Sequence, residues 1–166
     1  MGDQGLKRQR PAASRPAPGA PSARPAPVPP SAANVIEIQN RQRRQTISRA
    51  AVRKLAEATL LRLGRTGEIG FHLVGPGEMA RVNRHFLQHE GSTDIITFDH
   101  GSTRQHLHGE CFICVADAES QAGEWNTTWS EELGRYVIHG LLHLAGYDDL
   151  EPAARRVMKR RENALT

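Results

Sequence analysis

The chain has 166 residues, which suffices for one domain with a hydrophobic core and is short for two. No apolar run approaches the roughly 18 residues of a membrane-spanning helix, and the N-terminal segment lacks the apolar stretch of a secretory signal. Composition therefore predicts a soluble, cytoplasmic protein and excludes membrane-embedded classes.

The formal net charge of +4 originates in the N-terminal segment. Residues 1–33 carry five basic side chains and one acid, so residues 34–166 are close to neutral. The same segment is rich in Pro, Ala, Ser and Arg and nearly free of large apolar side chains, so it cannot bury enough surface to offset the entropy lost on ordering. We expect a disordered basic tail over 1–33 and a single folded domain over 34–166.

Two strands and two helices are predicted in the first half of this domain. Alternating apolar and polar residues predict a strand over 34–40, and helical spacing predicts a helix that begins at a cap on Thr46 or Ser48 and ends near Gly64. A second strand is predicted over 68–74. A short helix follows, with one face formed by Met79, Val82, Asn83 and Phe86.

The second half is predicted to contain two strands and then two helices. The strands cover 93–99 and 109–116, and a polar turn over 100–105 separates them. A long helix ends at Gly146, and a last helix begins after Pro152. This order predicts the α+β class, with a small mixed sheet of about four strands and helices packed on it.

Two histidines in the long helix form the clearest chemical pattern. His139 and His143 are four residues apart, so their imidazoles project from the same face, about one turn from each other. Gly146 can adopt the left-handed conformation that ends a helix and turns the chain back. A carboxylate of Asp148 or Asp149 can then return to the same ion. Two imidazoles and one carboxylate would leave the fourth position of a zinc ion open to water, as in catalytic zinc sites.

Similar ligand spacing occurs in helix-borne zinc proteases, but one residue argues against their mechanism. The residue after His139 is Gly140, where those proteases carry the glutamate that acts as general base. The pattern therefore favours a metal site at the end of the long helix and disfavours proteolysis.

Four segments together resemble one known family. The segment from His139 to Asp149, HGLLHLAGYDD, is similar to the signature His-Gly-x-Leu-His-Leu-x-Gly-Tyr-Asp-His of the YbeY family of endoribonucleases and rRNA maturation factors. Upstream, 83–86 and 93–98 resemble that family's Asn-x-x-Phe and Thr-Asp-Val-Leu-Ser-Phe elements, and 109–110 matches the Gly-Glu or Gly-Asp that opens its next strand. The resemblance covers roughly residues 34–160.

The resemblance implies an activity, a cofactor and partners. It implies a zinc-dependent endoribonuclease, specific for single strands, that acts in maturation of the small-subunit (16S) rRNA and in ribosome quality control. Family spacing selects Asp149 as the third ligand, so the expected ligands of one zinc ion are His139, His143 and Asp149. The expected partners are ribosomal RNA and the small ribosomal subunit, with ribosomal proteins and an Era-type GTPase as further candidates.

Two positions depart from the family pattern. Asp149 replaces the third histidine, and Leu87 stands where the family commonly has an arginine. A carboxylate ligand lowers the net positive charge at the ion, and the absent arginine removes a phosphate contact. Both departures bear on the rate of cleavage more than on the fold.

Substrate contacts are expected from residues outside the metal cluster. Thr93 and Asp94 are expected near the substrate cleft, although the same side chains could instead form a local cap or turn. Basic side chains are candidates for contacts with the RNA backbone. They are Arg41, Arg43, Arg44, Arg84 and Arg104. The pattern assigns no general base.

Two other functions stay open at this point. The first is a non-catalytic ribosome-assembly factor in which zinc stabilises the loop over 146–150; a closed site with four protein ligands would favour it. The second is a metal-dependent hydrolase of another substrate, which a cleft without basic side chains would favour.

Overall fold

The computed structural model describes residues 33–166, so the predicted disordered tail over 1–33 lies outside the described residues except for its last position. The described part contains four strands: β1 (Val35–Asn40), β2 (Thr66–Val74), β3 (Ile95–Asp99) and β4 (His106–Cys114). Its α-helices are α1 (Arg49–Leu63), α2 (Pro76–Val82), α3 (Val115–Trp125), α4 (Trp129–Leu144) and α5 (Pro152–Leu165). No helix among residues 33–166 is both long enough and apolar enough to cross a bilayer.

The strands form one mixed sheet in the order β1-β2-β4-β3. β1 pairs with β2 and β2 with β4 in parallel, whereas β3 runs antiparallel to β4. Alternate side chains of β2, including Ile69, Phe71 and Leu73, join a buried cluster with Val137 and Leu141 of α4. The predicted α+β class and the four-stranded mixed sheet are therefore confirmed.

Local signals in the sequence account for the ends of α1 and the start of α4, two of the helices that contribute to the main core. The Ser48 side chain accepts a hydrogen bond from the amide of Ala51 at the start of α1, and Gly64 ends that helix with φ of 66°. At the start of α4, Thr128 and Glu131 form a reciprocal capping box. These contacts fix where α4 begins and therefore which of its residues face the sheet.

Gly140 allows α4 to approach β4 closely. A Cβ atom at this position would lie 2.8 Å from the Cys111 sulfur and 3.0 Å from a methyl carbon of Ile95. Since real Cβ atoms essentially never come that near to other atoms, any larger residue would push the helix outward. The glycine that replaces the proteases' glutamate thus has a packing role, and it sets the depth at which the neighbouring His139 sits.

Two stretches differ from the sequence predictions. The strand predicted over 109–116 begins earlier, at His106, and ends at Cys114, and the unpredicted helix α3 follows it directly. The buried residues of α3 are mostly small, which gives the helix a weak apolar pattern; they are Val115, Ala118 and Ala122. The short helix that was predicted to include Phe86 is α-helical only as far as Val82. A π-helical turn follows it over Asn83–Leu87.

Candidate metal centre

Three predicted ligands converge at the C-terminal end of α4. The Nε2 atoms of His139 and His143 face each other at 3.0 Å. Gly146, with φ of 98°, turns the chain back after the helix, and the Arg155 side chain holds the turn by donating to the carbonyl oxygen of Asp149. The Asp149 carboxylate lies 3.7 Å from Nε2 of His139 and 4.0 Å from Nε2 of His143.

These separations fit one face of a tetrahedral zinc site. Zinc bonds of about 2.0–2.2 Å place neighbouring tetrahedral ligands about 3.3–3.6 Å apart, and the three observed distances lie on either side of that range. One ligand atom from each of the three residues lies within 4.8 Å of the other two, and no fourth His, Cys, Asp or Glu among residues 33–166 joins the group. Asp148 instead accepts a hydrogen bond from the amide of Leu150 within the turn.

A buried carboxylate supports His139 from behind. Oε2 of Glu162 in α5 lies 3.0 Å from Nδ1 of His139, and Glu162 is only 7% exposed. Burial would raise the pKa of Glu162, but the hydrogen bond and charge of His139, with lesser contributions from Lys159 and Arg135, outweigh it and lower the pKa. The carboxylate is therefore ionised and accepts Nδ1–H, which leaves the Nε2 lone pair of His139 directed at the cluster.

His143 also favours the form that binds metals. Burial, followed by the neighbouring His139, lowers the pKa of His143 below its ordinary value of 6.5. Asp149 and Asp148 oppose this shift without reversing it. Because an imidazole binds metal only when its nitrogen is unprotonated, His143 is available as a ligand at neutral pH.

A cavity of about 450 Å³ begins at His139 and extends between α3, α4 and α5. Among its lining residues are Asp94, Trp125, Arg135, Tyr136 and Lys159. Thr93 lines a separate space of about 330 Å³, and Asp94 lies on the wall of both. The structure thus brings Asp94 into the cavity next to the histidines and leaves Thr93 outside that cavity.

The arginines predicted to contact RNA lie elsewhere, and none lines the cavity at His139. Arg41 donates to Nδ1 of His72 at 2.8 Å and pairs with Glu78, and Arg44 pairs with Glu119. The other three are exposed and have no ion pair among residues 33–166; they are Arg43, Arg84 and Arg104.

Three charged residues near the cluster were not among the site residues predicted from the sequence, although Lys159 belongs to a C-terminal run of basic residues that the sequence makes available to phosphates. Arg135 lies one helical turn before His139, and its side chain approaches Glu162 to 3.5 Å. Lys159 reaches the same carboxylate at 4.0 Å. Helical spacing could have identified Arg135, since positions 135, 139 and 143 share one face of α4. Glu162 lies on the apolar face that Met158 and Leu165 form on α5. A charged residue at such a position is the sequence signal that could have identified it.

Comparisons with known proteins assign the family. The sequence model of the family described as "Endoribonuclease YbeY" matches residues 37–166. The chain belongs to the YbeY family. YbeY from Bacteroides fragilis is 40% identical over 99 residues, which cover 60% of this chain and 70% of that protein. YbeY from Chlorobium luteolum is 38% identical over 130 residues, which cover 78% of this chain and 93% of that protein.

A solved structure supports the fold. The solution structure of a Thermotoga maritima protein superposes with a TM-score of 0.61 at 26% identity, over 79% of this chain and 86% of that one. The resemblance found in the sequence is therefore confirmed, and the YbeY family name places the chain among the endoribonucleases, which are hydrolases.

Proposed function

We propose that this YbeY family member is a zinc-dependent endoribonuclease that cleaves single-stranded RNA. The observation that carries the proposal is the convergence of His139, His143 and Asp149, with Glu162 bound to His139 from behind. Two imidazole nitrogens and one carboxylate oxygen suit zinc, and a ligand set of three leaves a position for substrate or water. A non-catalytic, purely structural zinc site would instead have four protein ligands.

The chain's own residues hold and orient the components of the site. Glu162 fixes the ring of His139, and the turn at Gly146 holds Asp149 beside both histidines. When bound, zinc would supply Lewis acidity to a phosphate oxygen of the RNA. Arg135 and Lys159 line the adjoining cavity and give the cleft a cationic side on which the RNA backbone can lie. These two cations favour RNA over an uncharged substrate.

The proposed substrate is the small-subunit (16S) rRNA, and the proposed roles are its maturation and ribosome quality control. Support comes from the family membership and from the match of 139–149 to the family signature. Ribosomal proteins and an Era-type GTPase are proposed partners on the same basis. Exposed Arg43, Arg84 and Arg104 are proposed as peripheral contacts with the RNA backbone.

The test is RNA cleavage by purified protein of known zinc content. We expect the parent chain to cleave an unstructured RNA and to spare a duplex of the same sequence. The His139→Ala, His143→Ala double variant should lose zinc and cleavage together. Leu61→Ala, at an exposed position of α1, is the control and should behave as the parent. Equal cleavage by parent and double variant, or a zinc-loaded parent that cuts neither RNA, would contradict the proposal.

A further inference from the structure

The cavity beside His139 has the size and lining of a binding site. Its volume of about 450 Å³ lies within the range of about 300–1,000 Å³ that small-molecule sites occupy. His139 and Glu162 form part of its wall, whereas His143 and Asp149 do not, so the cavity adjoins the proposed metal cluster on its His139 side. A group bound in the cavity would therefore lie beside His139.

Tyr136, a lining residue of this cavity, carries a buried hydroxyl that has no hydrogen-bond partner in the described part of the chain. Tyr136 is 6% exposed, and its hydroxyl makes no hydrogen bond with any group of residues 33–166. Leaving a buried hydroxyl unpaired costs free energy. Burial and, next, the charge of Asp94 raise the pKa of Tyr136, so the hydroxyl keeps its proton and can donate it. A ligand with an acceptor atom would satisfy this group.

An exposed aromatic ring stands on the same wall. Trp125 is the last residue of α3, where Asn126 ends the helix in the left-handed conformation. The side chain is 69% exposed although it lines a cavity, so much of the indole surface is free to stack. Nucleobases stack on such rings, and the stacking tolerates all four bases.

The charges around the cavity favour a base over a phosphate in its interior. The carboxylates of Glu132 and Glu162 are already engaged, with Thr127 and His139 respectively, and both also pair with Arg135. With Asp94 they make three acids on a wall that carries two basic side chains. Oδ1 of Asp94 accepts hydrogen bonds from the Thr93 hydroxyl and from the amide of Ile95. Oδ2 accepts none from the described residues, so it can accept one from a ligand. Lys159 approaches Glu162 only to 4.0 Å and its side chain is 64% exposed, so it can also meet a phosphate at the opening.

We propose that this cavity binds one unstacked nucleobase of the RNA strand, adjacent to the phosphate that reaches the histidines. The base stacks on Trp125, accepts a hydrogen bond from the Tyr136 hydroxyl and donates one to Asp94. Each of the four bases carries a donor beside an acceptor on its pairing edge, so the subsite takes any base. A base paired in a duplex cannot enter, which would give the protein its preference for single strands. The inference rests on the proposed function, because it assumes an RNA substrate.

The test compares two ribose-phosphate hexamers that differ by one base. The first carries no bases, and the second carries a single 2-aminopurine at its centre. Binding is measured with the full chain in the presence of a chelator, so that metal-dependent cleavage does not occur, and the fluorescence of 2-aminopurine reports stacking. We expect the parent to bind the 2-aminopurine hexamer roughly tenfold more tightly, with quenched fluorescence.

Two variants and a control separate binding from folding. Trp125→Ala should remove both the tenfold difference and the quenching. Tyr136→Phe should weaken binding of the 2-aminopurine hexamer roughly three- to tenfold while its thermal unfolding temperature stays equal or rises, because only an unpaired hydroxyl is lost. Leu61→Ala should match the parent in both respects.

Equal binding of the two hexamers by the parent, or an unchanged difference in Trp125→Ala, would overturn the subsite. A parent that cleaves RNA but does not distinguish the hexamers overturns this inference alone. A parent that distinguishes the hexamers but cleaves no RNA overturns the proposed function alone.

Discussion

Replacement of Glu162 tests whether this buried carboxylate prepares His139 to bind zinc. Its Oε2 atom lies 3.0 Å from Nδ1 of His139, and the residue is almost fully buried. Loss of such a supporting contact typically lowers metal affinity by roughly 10- to 100-fold, or about 1.4–2.7 kcal/mol. Two variants of Glu162 should fall at the two ends of this range of affinity loss.

Glu162→Gln keeps an oxygen that can accept the Nδ1 proton but removes the negative charge. We expect it to weaken zinc binding by roughly tenfold. Glu162→Ala removes the acceptor as well and frees the ring of His139 to rotate, so its loss should approach roughly 100-fold. Glu57→Gln makes the same charge change at an exposed position of α1 and should bind zinc as the parent does.

The assay is a competition titration with a coloured zinc chelator at neutral pH, with thermal unfolding recorded for each variant. The unfolding curves show whether a weaker affinity reflects a damaged fold. If Glu162→Gln and Glu162→Ala are folded and both bind zinc as tightly as Glu57→Gln, Glu162 has no role in preparing His139 and the reasoning is refuted.

Three further results are expected. Asp149→Ala should lose zinc and Asp149→His should retain it, whereas zinc lost in Asp148→Asn but kept in Asp149→Ala would show that the wrong carboxylate was assigned. Gly140→Ala should lower the free energy of unfolding, measured in urea, by about 1–3 kcal/mol, because the added Cβ would lie 2.8 Å from the Cys111 sulfur of β4. Gly134→Ala on the same helix is the control: its added Cβ would lie 3.4 Å from the nearest atom, so this variant should not be destabilised. The zinc-free chain should lose stability as the pH falls below about 6.5. The pKa of His143 is lower in the folded state than the ordinary 6.5, so below that pH the unfolded chain binds a proton that the folded chain does not. An unfolding temperature that stays constant or rises between pH 7 and pH 5.5 would contradict this.

Several helix ends could be predicted because local residues determine them. Ser48 and Gly64 bound α1, and Gly146 turns the chain after α4, each through a contact within a few residues. The spacing of His139 and His143 likewise needs only the helical repeat to place both rings on one face. Short-range signals of this kind are fully present in the sequence.

Helix α3 and the support behind His139 could not be predicted in the same way. The buried positions of α3 are filled by Val115, Ala118 and Ala122, whose small side chains resemble those of an exposed segment. Glu162 is separated from His139 by 23 residues, and only the packing of α5 against α4 brings the two together. Tertiary contacts, rather than local preferences, determine both features.

Stepwise return of zinc to the chelated chain tests the central claim most directly. Zinc is added in fractions of an equivalent, bound metal is measured by elemental analysis, and the rate of single-stranded RNA cleavage is recorded at each step. We predict that the rate rises in proportion to bound zinc and stops rising at about one ion per chain, the capacity of a single three-ligand site. Full cleavage by the zinc-free chain, or a rate that does not follow the bound metal, would contradict the assignment of His139, His143 and Asp149 as the metal centre of an RNA-cleaving enzyme.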